Sequence, residues 1–212
     1  MIANLIWDAG GTLFDTYPAV VAACQAALGP LSAEVDEAWL MALFRQRTSL
    51  ALRTVAAHFA LDLESFTARY KEAYLTSDPG LQPPFDYVAN VCRFVVEVGG
   101  RNFIATHRER VSLVSLLRAH GLESLFTDCI TKDDPYPRKP DPASIQALLN
   151  RHDLDPSQCL AIGDRDLDIA AGVGAGVWTC YFGDPARDAG GSGDHELRRI
   201  VALATAKHEE VY

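Results

Sequence analysis

Residues 5–12, Leu5-Ile6-Trp7-Asp8-Ala9-Gly10-Gly11-Thr12, decide the fold of this chain. A mostly apolar, strand-like segment ends at Asp8, and this carboxylate enters a glycine turn. Open α/β sheets display reactive groups in this way, at the carboxyl ends of their strands. The alternative is a plain turn in which Asp8 bonds to nearby backbone amides. Three later segments place complementary polar groups after further strands, and together they favour an enzyme.

Composition and charge are those of an ordinary globular protein. The 212 residues are 49% hydrophobic and 22% charged, and they suffice for one large domain or for a core with a small insert. The net charge of −9 argues against nucleic-acid binding, which needs a basic face. We find neither a secretory signal nor an apolar run long enough to span a bilayer, so we expect no membrane partner.

The cysteines indicate a reducing compartment. They are odd in number and scattered, and none forms a Cys-x-x-Cys pair. Three fall in strand-like runs, where cysteine acts as a small buried hydrophobe. Reduced thiols in a cytoplasmic protein are therefore predicted. The five are Cys24, Cys92, Cys129, Cys159 and Cys180.

Strand-like and helical segments alternate along much of the chain. Strands are predicted at residues 5–7, 103–105, 129–131, 160–162 and 177–182. Helices are predicted at about 109–120, 142–151 and 166–173, with a last helix from about His195 after a Gly-, Asp- and Ser-rich loop at 188–194. This alternation predicts an α/β fold with a doubly wound parallel sheet.

A helical insert interrupts this pattern after the first strand. Residues 16–77 contain no convincing strand, and Leu63, Phe66, Tyr70 and Tyr74 recur at helical spacing. We therefore predict a small all-helical cap at residues 15–83, which acts as a lid over the carboxyl end of the first strand. The predicted core domain consists of residues 1–14 and 84–212.

The second strand leads into Thr106-His107-Arg108-Glu109, where a helix is predicted to begin. A hydroxyl beside the first backbone amides of a helix forms an anion site. The alternative is that Thr106 or His107 only caps that helix.

The third strand is followed by a proline-rich segment around Lys139. Prolines restrict the backbone on both sides, which suits a lysine held in one direction against phosphate or crowded carboxylates. Asp141 and Pro142 supply the N-cap and first-turn proline of the next helix. The alternative for Lys139 is a solvated basic pair with Arg138.

The fourth strand ends in Gly163-Asp164, and Asp168 lies four residues after Asp164. A helix beginning here turns both carboxylates the same way. Together with Asp8 they would offer the oxygen ligands that Mg²⁺ prefers. Acidic residues also complement the dipole of a helix N-terminus, and this simpler account suffices for Asp166.

The carboxylate, hydroxyl, lysine and acidic pair each follow a different strand, and parallel strands bring them to one edge of the sheet. In these features the chain resembles the haloacid dehalogenase superfamily over nearly its whole length. The four motifs of that superfamily correspond to residues 8–12, Thr106, Lys139, and Gly163-Asp164 with Asp168. The helical insert has the position of the superfamily's cap.

The resemblance implies a role for each residue. Asp8 would attack the substrate and become an aspartyl ester or aspartyl phosphate. Mg²⁺ would be held by Asp8, the Gly10 carbonyl and Asp164, while Asp168 supports Lys139 or a metal-bound water. Phosphoryl oxygens would be held by Thr106 and Lys139. The other expected substrate-binding residues are Gly11, Thr12, His107 and Arg108.

Gly10 departs from the pattern of the superfamily's phosphatases. They usually carry there a second aspartate, which protonates the leaving alcohol and then activates water. Such acid–base help is typically worth ~10²–10⁴-fold in rate. Three hypotheses follow. The chain is a phosphohydrolase whose proton donor is His107 or a cap residue, or one that needs no proton donor. Alternatively, it is a 2-haloacid dehalogenase or a non-catalytic phosphate-binding protein.

The sequence ranks these hypotheses. Dehalogenases also lack that aspartate, but they usually carry tyrosine at position 10 and asparagine at position 107, and they need no metal. Phosphonoacetaldehyde hydrolases use a cap lysine, whereas Lys71 is the only lysine of the insert. The leading prediction is a phosphohydrolase for a small phosphorylated metabolite, as a monomer or homodimer. Arg45, Arg47 and Arg53 in the insert are expected either to recognise an anionic substrate or to form a solvated helix face.

Overall fold

The computed structural model describes residues 2–183 and residue 200. It contains a five-stranded parallel sheet in the order β3-β2-β1-β4-β5. The strands are β1 (Asn4–Trp7), β2 (Arg101–Ala105), β3 (Phe126–Ile130), β4 (Cys159–Gly163) and β5 (Trp178–Tyr181). The predicted loop at 188–194 and the last helix from His195 lie outside the described residues.

Eight α-helices are described. They are α1 (Tyr17–Leu28), α2 (Glu37–Gln46), α3 (Thr48–His58), α4 (Leu63–Leu75), α5 (Val88–Glu97), α6 (Arg110–Ala119), α7 (Ala143–Arg151) and α8 (Asp166–Ala175). None of them is long and apolar enough to cross a membrane. All five cysteines lie within the described residues, and none forms a disulfide.

The sheet is buried on both faces, as a doubly wound fold requires. All four residues of β1 are buried. Its side chains alternate between two hydrophobic clusters: Leu5 and Trp7 pack with residues of α5 and α6, and Ile6 packs with residues of α7 and α8. The predicted α/β fold with a doubly wound parallel sheet is confirmed.

The predicted start of the third strand is wrong. The strand ends at Ile130 and begins at Phe126, three residues earlier than predicted, because the polar residues Thr127 and Asp128 interrupt the apolar pattern. The helix after β2 begins at Arg110, one residue from the predicted start, and its N-cap is Glu109 rather than Thr106 or His107.

The prediction for the start of α7 is confirmed. The Asp141 side chain accepts a hydrogen bond from the amide of Ala143, as an N-cap residue does, and Pro142 has helical backbone with φ −75° and ψ −7°. Helix α5 was not predicted, although buried residues recur along it at helical spacing.

The described chain divides into two compact units. One, the core unit, contains Met1–Phe14 and the described residues from Pro84 onward; the other, the helical insert, is Asp15–Pro83. The insert contains α1–α4 and no strand among its residues, which confirms the all-helical prediction. Its own core includes Phe66 and Tyr70, whereas Leu63, the first residue of α4, is 40% exposed.

Candidate active site

Asp8 lies at the carboxyl end of the central strand. β1 pairs with both β2 and β4, and the Asp8 amide extends this pairing by donating to Ile162 O at 2.8 Å. The next residues turn sharply, since the amides of Leu13 and Phe14 both donate to Ala9 O. Asp8 is only 3% exposed. A buried carboxylate is costly unless it is paired, so its partners determine what the site can do.

Lys139 is the main partner of Asp8. Its Nζ lies 2.6 Å from Asp8 Oδ1 and 2.5 Å from Asp168 Oδ1, and it donates to Ala105 O at 2.9 Å. Burial alone would lower the pKa of Lys139, but the two carboxylates outweigh burial and raise it above its ordinary value. Lys139 is therefore a fixed ammonium, and the solvated basic pair considered from the sequence is excluded.

Asp168 is placed on α8, where it faces Lys139. Its Oδ2 accepts a hydrogen bond from the amide of Arg165 at 3.2 Å. Gly163 permits this packing, because a Cβ at that position would overlap the Asp168 side chain. Burial raises the pKa of Asp168, and the negative charge of Asp8 raises it further. Asp168 and Asp8 thus contact the same lysine from two sides of the site.

Asp164 approaches the turn after β1. Gly11 has a φ of 86°, and a Cβ there would overlap the Asp164 carboxylate, so glycine is needed both for the backbone and for the close approach. The Thr12 hydroxyl lies 3.5 Å from Asp164 Oδ1, at the long limit of a hydrogen bond. Gly11 and Thr12 thus lie next to the Asp164 carboxylate.

The three carboxylates form a group that could hold a cation. One oxygen each from Asp8, Asp164 and Asp168 lies within 4.8 Å of the others. Asp8 Oδ2 is buried and has no hydrogen-bond partner among the described residues, which leaves it available as a ligand. Oxygen donors of this kind fit a hard divalent cation. Asp168 is the least available of the three because Lys139 already neutralises it.

Thr106 follows β2 directly and is buried. Its Oγ1 accepts a hydrogen bond from the amide of Arg108 at 3.2 Å, in a turn that precedes α6. The expected anion site at the first amides of that helix is therefore wrong, since the helix begins at Arg110. The hydroxyl of Thr106 instead belongs to the same edge of the sheet as Ala105 O, the acceptor of Lys139.

His107 has a contact that the sequence did not predict. Its Nε2 accepts a hydrogen bond from the backbone amide of Lys139 at 2.8 Å. An amide can only donate, so Nε2 carries no proton and the neutral ring is protonated at Nδ1. Burial, followed by the charge of Lys139, lowers the pKa of His107 to about 4. His107 is therefore neutral at pH 7, with Nε2 as a hydrogen-bond acceptor, and is not an imidazolium acid.

Most of the predicted site residues meet at this edge of the sheet. The described contacts join Asp8, Asp164, Asp168 and Lys139, with Gly11 and Thr12 at Asp164 and His107 at Lys139. The sequence did not predict Ala105 O as an acceptor for Lys139, because every residue has a backbone carbonyl and residue type does not show which one is used.

The arginines of the insert are all exposed. Arg45 lies in α2, Arg47 between α2 and α3, and Arg53 in α3. The guanidinium of Arg45 lies 5.6 Å from the centre of the Tyr17 ring, a cation–π distance.

Comparisons with known proteins identify related hydrolases. The family model described as haloacid dehalogenase-like hydrolase matches residues 5–182. A phosphoglycolate phosphatase of Vibrio cholerae serotype O1 is 28% identical over 190 residues, which cover 85% of this chain and 82% of that protein. A pyrophosphatase PpaX of Halalkalibacterium halodurans is 26% identical over 121 residues, or 57% of this chain and 56% of the relative.

A solved structure extends the similarity to the fold. The crystal structure of a hydrolase from Streptococcus pneumoniae TIGR4 has a TM-score of 0.71 and 28% sequence identity. The match covers 95% of this chain and 98% of that structure.

Proposed function

This chain belongs to the haloacid dehalogenase-like hydrolases, and from that premise we propose that it is a Mg²⁺-dependent phosphohydrolase acting through an aspartyl phosphate on Asp8. The observation that carries the proposal is the environment of Asp8. One of its oxygens is neutralised by the buried Lys139, and the other is buried without a partner beside a further carboxylate. Phosphatase and pyrophosphatase relatives support phosphoryl transfer.

The cation would be held by Asp8, Asp164 and the backbone carbonyl of Gly10. The buried, unpartnered Asp8 Oδ2 and the nearby Asp164 carboxylate fit this role. When bound, Mg²⁺ offsets the negative charge of the phosphoryl group and of the carboxylates. Asp168 stays with Lys139.

The chain's own residues then carry the transfer. An Asp8 oxygen attacks phosphorus, the bond to the leaving oxygen breaks, and that oxygen departs with the electron pair. Lys139 holds a phosphoryl oxygen and keeps Asp8 ionised, and the hydroxyl of Thr106 donates to a second oxygen. Water afterwards attacks the same phosphorus, which releases phosphate and regenerates the Asp8 carboxylate.

Gly10 restricts which substrates suit this mechanism. It supplies no carboxyl group to protonate the leaving oxygen, and His107 is neutral with its Nε2 already engaged by an amide. We therefore expect leaving groups that are stable as anions, such as aryl, acyl or phosphate oxygens, to react faster than alkoxides. Phosphoglycolate and pyrophosphate, after which relatives are named, belong in the first panel, where pyrophosphate has a phosphate leaving group and phosphoglycolate an alkoxide.

A phosphate panel with and without Mg²⁺ tests the proposal. The purified chain should release phosphate from an aryl phosphate, lose this activity with chelator and regain it with Mg²⁺. Asp8→Asn should abolish turnover, while Asp166→Asn, at an exposed acid of α8, should not change it. Activity that persists in chelator or in Asp8→Asn would contradict the proposal.

The same experiment separates the other two hypotheses. A 2-haloacid dehalogenase would release halide from 2-chloropropionate with or without chelator. A non-catalytic protein would turn over neither class of compound. Under the proposal, only the phosphate compounds react.

Two wider predictions accompany the proposed function. The five cysteines, none of them in a disulfide, agree with the cytoplasmic location predicted from the sequence. A monomer or homodimer also stays a prediction. Gel filtration at several concentrations distinguishes the two.

A further inference from the structure

A pocket beside the proposed transfer site has an unusual charge. It shares two walls with that site, Thr106 and Lys139, and is a small, partly open cavity of about 20 Å³. Its ten lining residues include Lys132, Arg138 and Lys139 but no Asp or Glu. The chain as a whole carries a net charge of −9, so a pocket lined by cations and by no acid is unusual in it, although carboxylates outside the lining pair with Lys132 and Lys139.

Arg138 is the cation of this pocket that is available to a ligand. Lys139 is occupied by Asp8 and Asp168, and Lys132 Nζ lies 2.5 Å from Glu109. The Arg138 guanidinium is exposed and makes no hydrogen bond or ion pair with any described residue. Prolines on both sides of the Arg138-Lys139 pair restrict its backbone. A forked guanidinium suits a carboxylate or phosphate.

Ser144 supplies an independent sign of a ligand. This residue, second in the nine-residue helix α7, lines the pocket and is only 7% exposed. Its buried hydroxyl has no hydrogen-bond partner among the described residues. Buried hydroxyls normally have a partner, and the N-terminus of a helix adds positive potential beside it. A group that enters the pocket would satisfy this hydroxyl.

The lowered pKa of His107, another lining residue, also indicates a positive potential in this pocket. Burial is the largest cause of its lowered pKa, and the charges of Lys139, Arg138 and Arg165 lower it further, against the opposing charge of Asp8. Cations therefore surround this ring from more than one segment. Such a field repels a proton and attracts an anion.

We propose that this pocket binds a second anionic group of the substrate, a carboxylate or a phosphate, through the Arg138 guanidinium and the Ser144 hydroxyl. The inference rests on the proposed function and names its substrate class: phosphoryl compounds whose leaving group itself carries a negative charge. Thr106 and Lys139 would hold the transferred phosphoryl group at the shared wall, and the second anion would lie beyond them.

Binding of non-hydrolysable analogues tests the pocket without relying on turnover. Methylphosphonate has one anionic group, whereas phosphonoacetate adds a carboxylate and methylenediphosphonate adds a second phosphonate. Calorimetry on the whole chain, at a fixed concentration of free Mg²⁺, should show that at least one two-anion analogue binds roughly tenfold or more tightly than methylphosphonate. The analogue with the larger gain in affinity identifies the second group: phosphonoacetate indicates a carboxylate and methylenediphosphonate a phosphate.

Substitutions of Arg138 and Ser144 test which residues produce this gain in affinity. Arg138→Gln should remove it and leave methylphosphonate binding unchanged, whereas Arg93→Gln, at an exposed arginine bonded to Asn90, should retain it. Ser144→Ala should also reduce the gain without lowering the unfolding temperature, because the hydroxyl it removes lacks a protein partner. If Arg138→Gln reduces the gain and Ser144→Ala does not, the anion lies outside the pocket and the assignment is overturned.

The outcomes also separate this inference from the proposed function. Phosphate turnover combined with equal affinity for all three analogues overturns the pocket and leaves the phosphohydrolase standing. A gain that depends on Arg138 and Ser144, in a chain that hydrolyses no phosphate compound, supports the pocket and overturns the phosphohydrolase.

Discussion

Replacing Lys139 with methionine tests the electrostatic centre of the site. The side chains of Lys139, Asp8 and Asp168 are 3%, 2% and 5% exposed, and the lysine lies 2.6 Å and 2.5 Å from the two carboxylates. Removal of one partner from a buried ion pair costs about 3–5 kcal/mol, because the other charge is left uncompensated. Here one lysine serves two carboxylates, so we expect a loss of about 5 kcal/mol at pH 7.5 without metal.

The penalty should depend on pH in a defined direction. Without the lysine, one of the two carboxylates must take up a proton, so its folded pKa rises above its unfolded value. The folded state then binds more protons than the unfolded state, and the variant recovers stability as the pH falls. The recovery is about 1.4 kcal/mol for each pH unit over which the proton is taken up. The double variant Lys139→Met/Asp168→Asn should accordingly be more stable than Lys139→Met alone.

Urea unfolding of the wild type and the variants at pH 7.5 and 5.5 measures these differences. Lys132→Met is the matched control, because its ion pair with Glu109 is about 41% and 46% exposed and should be worth only about 0–1 kcal/mol. A loss in Lys139→Met no greater than in this control, or one that does not change with pH, would refute the reasoning.

Three further substitutions have defined outcomes. Gly10→Asp should raise turnover of alkyl phosphates by up to ~10²-fold and leave aryl phosphates nearly unchanged, while Gly10→Asn should do neither; equal gains for both classes would argue against a missing acid. The folded pKa of His107, about 4, lies below its usual 6.5, so its contribution to stability is complete above pH 6.5 and is lost as the pH falls toward 4. The free energy of unfolding of His107→Gln should therefore fall less than that of the wild type over this interval. An equal fall in both proteins would contradict the lowered pKa of His107. Gly11→Ala should weaken Mg²⁺ binding and also lower stability, because the added Cβ overlaps Asp164. Gly99→Ala is the control: its φ of 83° is similar and no atom lies near its Cβ, so it should cost only the ~1 kcal/mol of backbone strain and leave Mg²⁺ affinity intact.

The sequence predicts the sheet well because parallel strands are buried on both faces and therefore read as apolar runs. The exception, β3, shows the limit of this rule. Its Asp128 lies within hydrogen-bond distance of His152 Nε2, at 2.9 Å, so a polar residue lies inside the strand and interrupts the apolar pattern. Helix α5 shows the opposite case, because its buried residues recur at helical spacing although no helix was predicted there.

The acidic and basic groups of the site were predictable because each follows a strand, and topology brings strand ends together. What could not be predicted are contacts made by the backbone and by helix starts. The amide of Lys139 bonds His107, and the start of α6 at Arg110 removes Thr106 from the expected helix N-terminus. Such contacts depend on where a turn ends, and residue type does not specify this to within one residue.

Trapping the covalent intermediate tests the central claim most directly. The purified chain is mixed with an aryl phosphate and Mg²⁺, quenched, and treated with borohydride, which reduces an aspartyl phosphate to homoserine. Peptide mass spectrometry then identifies the modified residue. The account predicts homoserine at position 8, only when substrate and Mg²⁺ are both present, and none in Asp8→Asn. Phosphate release from an active enzyme without homoserine at position 8, or with the modification at another residue, would contradict it.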